Sequence, residues 1–427
     1  MGGPRDSFQA VILGGQLSEY AFAREFNDAY GVSPVLATAY LPPAIRNSRI
    51  LQRHALTDPG DDESLVEQLV ALGRTMTEQD ASRRLILLAN SESSIFTIAE
   101  HRDDLERYFI LPIPPLSTIR QVSDKRAFEE IAVRQGMRVP RSHYVDFSAF
   151  GPNDSAPDQA TLEVLLPPSD FGFPLIAKPT ESAQWERLAF EEKQKVYFIK
   201  SRQELVDLYR LLISVHFQGG FAVQEFVRGD DSSMRSITAY VDTAGTVSLT
   251  CSARVLLQEH EPSTLGIPCA MITEPYPDIL ESAARFLRSV DYQGFANFDV
   301  KRDSTTGEFF FLELNPRIGR NHFYVQGAGV NPMAYLVSDM VEHAPLSPRT
   351  AERRALYTVV PRRLLLGYLG DADRAEVEEL YGRRMVVNPL FNPRDRHPLR
   401  VLRQQLTMRR YVQSFALHYP RRTEDGF

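Results

Sequence analysis

The chain has 427 residues, of which 43% are hydrophobic and 24% are charged, so it is long enough for two or three globular domains. No apolar run approaches the roughly 18–20 residues that cross a membrane, and the formal net charge of -7 argues against a general nucleic-acid binder. Two cysteines, Cys251 and Cys269, cannot build a disulfide framework, and the N-terminus has no hydrophobic signal core. We therefore expect a cytoplasmic protein without stable membrane insertion.

Residues 9–13 predict a buried strand that turns at Gly14 and Gly15 into a helix beginning near Ser18. Residues 84–89 predict a second strand, followed by a helix that ends near residue 99. Strand and helix alternate, which is typical of an open α/β domain. The glycine pair does not form a GxGxxG pattern, so it predicts a tight turn rather than a dinucleotide site. The proline-rich residues 110–115 then predict a stiff linker at the end of the domain.

Lysine is rare in this chain, which otherwise uses arginine as its basic residue. The six lysines are Lys125, Lys178, Lys193, Lys195, Lys200 and Lys301. Against phosphate a lysine is a compact point charge, so each invites a functional explanation. Lys193 and Lys195 lie in a charged turn, and for these two residues the absence of any specific role is as good an explanation as phosphate binding.

Two of these lysines occupy distinctive positions in predicted elements. Ser123 is expected to cap a helix that closes at Gly136, which puts Lys125 in the first turn, where a cation opposes the helix dipole. Lys178 lies at the end of the strand predicted over residues 173–179. The placement of Lys125 is mildly unfavourable locally and suggests another task. The loop after Lys178 contains Ser182 but no glycine.

The next segment predicts strands, one helix and a long polar loop. Residues 196–200 predict a strand, Ser201 and Glu204 form a capping box for a helix, and residues 221–227 predict another strand that breaks at residues 228–231. A hairpin over residues 233–245 follows, with Arg254 on the next strand. The loop over residues 258–266 is long enough to carry function. Its His260 is either a substrate contact or, as is commoner for an exposed loop histidine, inert.

Residues 294–303 and 309–317 predict a hairpin with its turn at residues 304–307. Since residues i and i+2 of a strand share one face, Asp299, Glu313 and Asn315 can project together. Three hard oxygen ligands suit Mg²⁺, which completes its shell with phosphate. Arg317 would add a fixed cation beside bound anions. The alternative, acids that merely face water, is disfavoured because carboxylates in so apolar a run are costly without a cation.

From about residue 345 the chain becomes rich in paired arginines and in proline. Acids are mixed in and aromatic residues are sparsely interleaved, which disfavours nucleic-acid binding. We expect a small appended subdomain that closes over an acidic substrate.

The sequence Glu-Leu-Asn-Pro-Arg at 313–317, preceded by Phe-Asp-Val-Lys at 298–301, resembles the metal-binding hairpin of the ATP-grasp superfamily. The continuation Arg-Ile-Gly-Arg is most similar to that of D-aspartate ligases and related carboxylate–amine ligases. The resemblance implies an α/β (α+β) fold, with a pre-ATP-grasp open α/β domain followed by a two-subdomain ATP-grasp fold and a small C-terminal extension. The expected domains are residues 1–118, 119–343 and 344–427.

The resemblance also implies a role for each candidate site residue. Lys125 and Lys178 would bind the phosphates of ATP, and Ser182 or glycine-free backbone amides would replace the family's glycine-rich loop. The strand with Gln224, Glu225 and Val227 would lie along adenine. Asp231 would bind the ribose hydroxyls, with Asp230 as the alternative. Asp299, Glu313 and Asn315 would bind two Mg²⁺ ions, or Mn²⁺ in their place. Arg254, Arg317 and Arg320 would hold the substrate carboxylate and the oxyanion.

The implied reaction is phosphorylation of a carboxylic acid by ATP, followed by attack of an amine on the acyl phosphate. By family, the acid would be D-aspartate and the amine would belong to a peptidoglycan precursor. Two alternatives stay open, namely a ligase of other specificity that forms dipeptides and a regulator that binds ATP without turnover. A homodimer is also left open.

Overall fold

The structure is a computed structural model that describes residues 7–151, 158–181, 185, 188–191 and 193–426. Three sheets follow one another along the chain, one parallel and two largely antiparallel, and helices cover them. The predicted mixed α/β class is therefore confirmed. Among the described residues, no helix has both the length and the apolar character that a membrane span requires.

The first sheet is parallel and has the strand order β3-β2-β1-β4-β5. Its strands are β1 Phe8–Leu13, β2 Val35–Thr38, β3 Gln52–Ala55, β4 Arg84–Ala89 and β5 Phe109–Ile110, with helices α1 Leu17–Tyr30, α2 Asp62–Gln79, α3 Glu92–Glu100 and α4 Arg102–Leu105. All six residues of β1 are buried, as expected for a strand inside a parallel sheet covered on both faces.

The second sheet has four strands in the order β6-β9-β7-β8, and all its pairs are antiparallel. Its elements are α5 Leu116–Ser123, α6 Lys125–Arg134, β6 Ser142–Asp146, α7 Gln159–Leu165, β7 Leu175–Pro179, β8 Tyr197–Ile199, α8 Arg202–Ser214 and β9 Gly220–Glu225. Ser201 caps α8, as predicted. The predicted cap at Ser123 is wrong, because Ser123 ends α5 and the Asp124 side chain accepts the Ala127 amide at 2.7 Å instead.

The third sheet has eight strands, with β14-β13-β10-β11-β12-β16-β17 in a row and β15 paired with β11. Its strands are β10 Met234–Val241, β11 Val247–Gln258, β12 Pro268–Thr273, β13 Gly294–Arg302, β14 Phe309–Asn315, β15 Arg349–Ala351, β16 Leu356–Thr358 and β17 Val386–Val387. The accompanying helices are α9 Pro277–Ser289, α10 Phe323–Gly327, α11 Pro332–Met340, α12 Arg362–Tyr368, α13 Asp371–Gly382 and α14 Pro398–His418. A short 3₁₀ turn, Asp231–Ser233, precedes β10.

The segment expected to be an appended subdomain is built into this sheet, since β15, β16 and β17 all pair within it. The chain then returns to the N-terminal domain. The Tyr20 hydroxyl donates to Asp395 at 2.8 Å, and Arg403 on α14 donates to Asn47 at 2.5 Å. These contacts tie the C-terminal residues to the first sheet's helices and loops.

Candidate active site

A cavity of about 630 Å³ is lined by residues from all three sheets and their connections. Eleven predicted site residues line it, namely Lys125, Lys178, Gln224, Glu225, Val227, Asp231, Asp299, Glu313, Asn315, Arg317 and Arg320. Ser182 lies outside the described residues. Arg254 does not line the cavity. The fold therefore gathers in one place residues separated by almost 200 positions in the sequence.

The acid pair lies in the hairpin formed by β13 and β14, where Asp299 is directly opposite Glu313. Antiparallel partners have closely spaced side chains, so the two carboxylates face the cavity as neighbours. The Asn315 amide donates to Asp299 at 3.3 Å, and its oxygen accepts from Arg317 at 3.2 Å. For Asn315 to offer its oxygen to a metal beside Asp299, the amide must rotate.

The electrostatics of the acid pair indicate a cation site. Burial and the neighbouring Glu313 raise the pKa of Asp299 to about 7. Burial also tends to raise the pKa of Glu313, but Lys178 and Lys125 outweigh it and lower this pKa to about 2. Two opposed carboxylates in a sheltered place repel each other, and a divalent cation removes that repulsion. The oxygen donors present fit Mg²⁺, with phosphate completing the shell.

A cluster of ammonium groups lies beside the acids. Five of the six lysines line the cavity, and the exception is Lys200. The Lys178 ammonium is 3.8 Å from a Glu313 oxygen, and the Lys125 ammonium donates to the Thr180 carbonyl at 3.1 Å. Burial and the neighbouring Lys178 lower the pKa of Lys125. Gathered like charges are unfavourable without an anion, so the cluster indicates a polyanionic ligand such as a triphosphate.

We expect Lys178→Ala to weaken ATP binding, and Lys178→Arg to restore little of the loss. A guanidinium is planar and wider than an ammonium, so it cannot replace a point charge in a narrow space between strand and phosphate. Calorimetric titration with a non-hydrolysable ATP analogue measures the effect. Lys200→Ala, outside the cavity, is the matched control. Unchanged nucleotide affinity in both Lys178 variants would remove Lys178 from the phosphate site.

Arg317 connects the hairpin to the N-terminal domain. Its guanidinium donates to Asn90 at 3.3 Å, to Asn315 at 3.2 Å and to the Ile318 carbonyl at 3.1 Å. Burial and the neighbouring Arg320 lower the pKa of Arg317. Within the described ranges, neither arginine has a carboxylate at salt-bridge distance, and the Arg317 Nε atom has no hydrogen-bond partner. Two guanidinium groups without acid partners beside a cavity can receive carboxylate or phosphoryl oxygens.

Arg254 has a different environment from the one its predicted role requires. Its guanidinium donates to Glu274 at 3.2 Å, Asp373 at 2.7 Å and Glu376 at 2.7 Å. Each of the three guanidinium nitrogens already donates to a carboxylate, and Arg254 does not line the cavity. The prediction that it holds a substrate carboxylate is therefore corrected to a structural role, linking β11 to α13.

We expect Arg254→Ala to destabilise the fold by roughly 2–4 kcal/mol, because three acids lose their common cation. The remaining folded protein should keep its activity per molecule. Chemical denaturation and turnover at a temperature where the variant is fully folded measure the two quantities separately. A variant with unchanged stability but lost turnover would restore the catalytic assignment.

The predicted adenine strand, β9, and the residues just after it line the cavity. The Gln224 side chain donates to Glu129 and Ser142, both at 2.8 Å, and Glu225 accepts from Arg141 at 2.6 Å. Because these side chains already have hydrogen-bond partners, we expect backbone groups of the strand to form the hydrogen bonds to adenine. That agrees with the role expected for residues 224–227, which stays a prediction.

Asp231, expected at the ribose, is buried and already accepts two hydrogen bonds. They come from the Gln258 amide at 2.8 Å and from His260 at 3.0 Å. The expectation that His260 is an exposed loop residue is wrong, because its side chain is 5% exposed and stacks on Tyr419 at 3.5 Å. His260 orients Asp231 rather than contacting solvent. The rival Asp230 accepts from Arg422 at 2.6 Å.

Several cavity residues were not predicted from the sequence. Glu92 lines the cavity from the first turn of α3, and Lys301 lies 4.3 Å from the centre of the Phe226 ring. Burial lowers the pKa of Lys301 to about 8. Asp425 and Gly426 line the cavity from the C-terminal end. The scarcity of lysine could have indicated Lys301, and the carboxyl end of β4, where α/β sheets bind ligands, could have indicated Glu92.

Comparison with known proteins finds similarity both to an ATP-binding domain family and to a whole enzyme. Residues 237–340 match the family described as carbamoyl-phosphate synthase L chain, ATP binding domain. The chain is also 27% identical over 421 residues to a D-aspartate ligase of Enterococcus faecium (strain Aus0004), covering 97% of both proteins.

Solved structures share the fold at low sequence identity. An L-amino acid ligase from Bacillus licheniformis superposes with a TM-score of 0.52 at 15% identity, covering 80% of this chain and 75% of the other. The biotin carboxylase domain of the Hydrogenobacter thermophilus 2-oxoglutarate carboxylase, solved with MgADP and bicarbonate, gives 0.55 at 12% identity, covering 82% and 74%. The chain is therefore similar along its whole length to a D-aspartate ligase and, over residues 237–340, to an ATP-binding domain, and it shares its fold with the solved ligase and carboxylase.

Proposed function

We propose that the protein is an ATP-dependent carboxylate–amine ligase that uses D-aspartate as its acid and an amine of a peptidoglycan precursor as its acceptor. One observation carries the proposal, namely two guanidinium groups, Arg317 and Arg320, that line the cavity beside the acid pair and, among the residues that the structure describes, have no carboxylate within salt-bridge distance. A dicarboxylic amino acid offers one carboxylate to be activated and a second to be held. The similarity to a D-aspartate ligase along 97% of both chains supports this choice.

In the proposed reaction, Lys125 and Lys178 hold the triphosphate, and Asp299 and Glu313 with Asn315 hold up to two Mg²⁺ ions. Bound Mg²⁺ supplies charge neutralisation between the anionic acid and the phosphates. Mn²⁺ has the same ligand preference and could replace it. The lysines and arginines reduce the remaining repulsion and keep the reactants aligned, which is the main contribution a protein makes to phosphoryl transfer.

The chemistry takes two steps. A carboxylate oxygen attacks the γ-phosphorus of ATP, the bond to the β-phosphate oxygen breaks, and ADP leaves. The neutral amine then attacks the carbonyl carbon of the acyl phosphate, the nitrogen loses a proton, and phosphate leaves. In this proposal Arg317 stabilises the oxyanion of the second step and the transferring group of the first.

Glu92 is the candidate for holding the ammonium group of the amino acid. It lines the cavity from the N-terminal domain, and its charge partly opposes the lowering of the Lys125 and Arg317 pKa values by burial. Arginines for two carboxylates and a glutamate for the ammonium group would together match an acidic amino acid. D and L forms present the same three groups in mirror order, so the chirality assignment rests on the sequence similarity.

The test is a panel of D- and L-amino acids combined with amine acceptors, including the lysine side chain of peptidoglycan precursor peptides. We expect ADP release that requires both an acid and an amine, with D-aspartate the best acid and a product mass equal to their sum less water. Activity with other amino acids as both acid and amine would favour a dipeptide-forming ligase. Tight ATP binding without ADP release across the panel would favour a regulator.

The intact acid pair and Arg317 weigh against the regulator, since ATP binding alone could survive their loss. A cytoplasmic location fits an enzyme that consumes ATP, and it fits the two cysteines, both buried as free thiols.

A further inference from the structure

Helix α14 has an inverted distribution of polar and apolar side chains. The residues it buries against the protein are Arg400, Gln404, Met408 and Phe415. The opposite face exposes a row of leucines, Leu399 at 51%, Leu402 at 58%, Leu406 at 47% and Leu417 at 75%. Successive residues of a helix are about 100° apart, so these four leucines fall within an arc of about 60°. We call them the leucine stripe.

The leucine stripe lies in the most basic part of an acidic chain. Residues 396–423 contain seven arginines and no aspartate or glutamate, whereas the whole chain has a net charge of -7. Arg409 and Arg410 are exposed next to the stripe on the helix surface. Scattered exposed leucines are normal, but an aligned row with basic neighbours marks an interaction surface.

We propose that the leucine stripe and its arginines dock the protein on the surface of an anionic lipid bilayer. A helix of about 20–30 residues with leucines on one face and arginines beside them is typical of helices that lie in the membrane interface. The leucines would enter the boundary between headgroups and acyl chains, and Arg409 and Arg410 would meet the acidic headgroups. Such docking is peripheral and needs no membrane-spanning helix.

Charge disfavours a second copy of this chain as the occupant. In a twofold pairing of the stripes, the same surface would face itself, and Arg409 and Arg410 of both copies would be brought together. No acid within residues 396–423 is available to compensate for this repulsion. An anionic bilayer satisfies both features of the surface, the apolar row and the positive charge.

The experiment measures partition of the full chain onto vesicles by flotation, with phosphatidylcholine alone or with about 30 mol% phosphatidylglycerol. We expect binding only to the anionic vesicles and a loss of binding as salt shortens the Debye length. L402S/L406S should lower the partition coefficient at least about tenfold, because two exposed leucines lose their transfer into lipid. R409Q/R410Q should lower it by about thirtyfold.

V133S/V164S is the matched control, because both valines are exposed, at 59% and 83%, and lie on other helices. The control should bind vesicles like the parent protein. Light scattering in solution is run in parallel. No binding to anionic vesicles, or binding that L402S/L406S leaves unchanged, would overturn the proposal. A dimer that L402S/L406S dissociates, without vesicle binding, would assign the stripe to a second copy instead.

Discussion

Replacing Glu313 by glutamine should abolish turnover while leaving the metal-free protein folded. Glu313 lies opposite Asp299 in the β13–β14 hairpin and is one of the two carboxylates available to Mg²⁺. Loss of a metal carboxylate removes several kcal/mol of transition-state stabilisation, so ADP release should fall by about 10³-fold or more. Glu313→Gln relieves the repulsion on Asp299 but loses the attraction of Lys178 and Lys125. Because these two changes oppose each other, the melting temperature without metal should stay close to that of the parent protein.

The readouts are ADP release at matched Mg²⁺ and thermal unfolding with and without Mg²⁺ and ATP. The parent should gain stability from the ligands, and the variant should gain much less. Glu308→Gln is the matched control, because this acid precedes the same strand but pairs with Arg138 at 2.7 Å, away from the cavity. Ordinary turnover by Glu313→Gln at the same Mg²⁺ concentration would remove Glu313 from the metal site.

Replacing Arg317 by alanine should separate catalysis from nucleotide binding. Lys125 and Lys178 hold the triphosphate in our account, so affinity for ATP should be nearly unchanged. Acyl-phosphate formation should fall by about 10²–10³, which is typical when one preorganised donor is removed from a developing charge. Trapping the activated acid with hydroxylamine measures the second quantity, and calorimetry measures the first.

Arg302→Ala is a suitable control, because Arg302 ends β13 and is exposed outside the cavity. It should leave both quantities unchanged. If Arg317→Ala lowered ATP affinity and trapping by the same factor, Arg317 would be a nucleotide ligand. A parent protein that yields no trapped adduct with any acid would favour the regulator.

Local signals predicted the central hairpin well. The predicted flanks, residues 294–303 and 309–317, differ little from the observed strands Gly294–Arg302 and Phe309–Asn315. Aromatic and β-branched residues on both sides of a turn sequence define such a hairpin without help from distant residues. The N-cap at Ser201 is an equally local signal, and it was predicted.

The predictions that failed concern partners far away in the sequence. Arg254 finds its acids 119 and 122 positions along the chain, and His260 stacks on Tyr419. Sequence periodicity gives no information on which distant elements pack together. Helix α14 was missed for a different reason, since its buried face is partly polar and its exposed face is apolar, the reverse of the usual helical pattern.

In the candidate site, too, residues with local sequence signals were predicted, and residues that depend on distant contacts were not. Most of its charged residues lie on strands or at helix starts whose local sequence resembles the ATP-grasp motifs, so they could be named in advance. Asn90 and Glu92 were not named, because their contribution depends on how the first sheet meets the hairpin. Lys301 could be noticed because lysine is rare in this chain, but no feature of its local sequence indicated a role.

The central claim is that the cavity activates a carboxylate by transferring phosphate to it from ATP. Acid labelled with ¹⁸O in its carboxylate tests this directly, because the acyl phosphate passes one carboxylate oxygen to the phosphate that the amine displaces. With labelled D-aspartate, ATP and an amine, we expect mass spectrometry to find one ¹⁸O atom in each phosphate released. Unlabelled phosphate from a reaction that still makes product, or no phosphate from any acid and amine, would contradict the account.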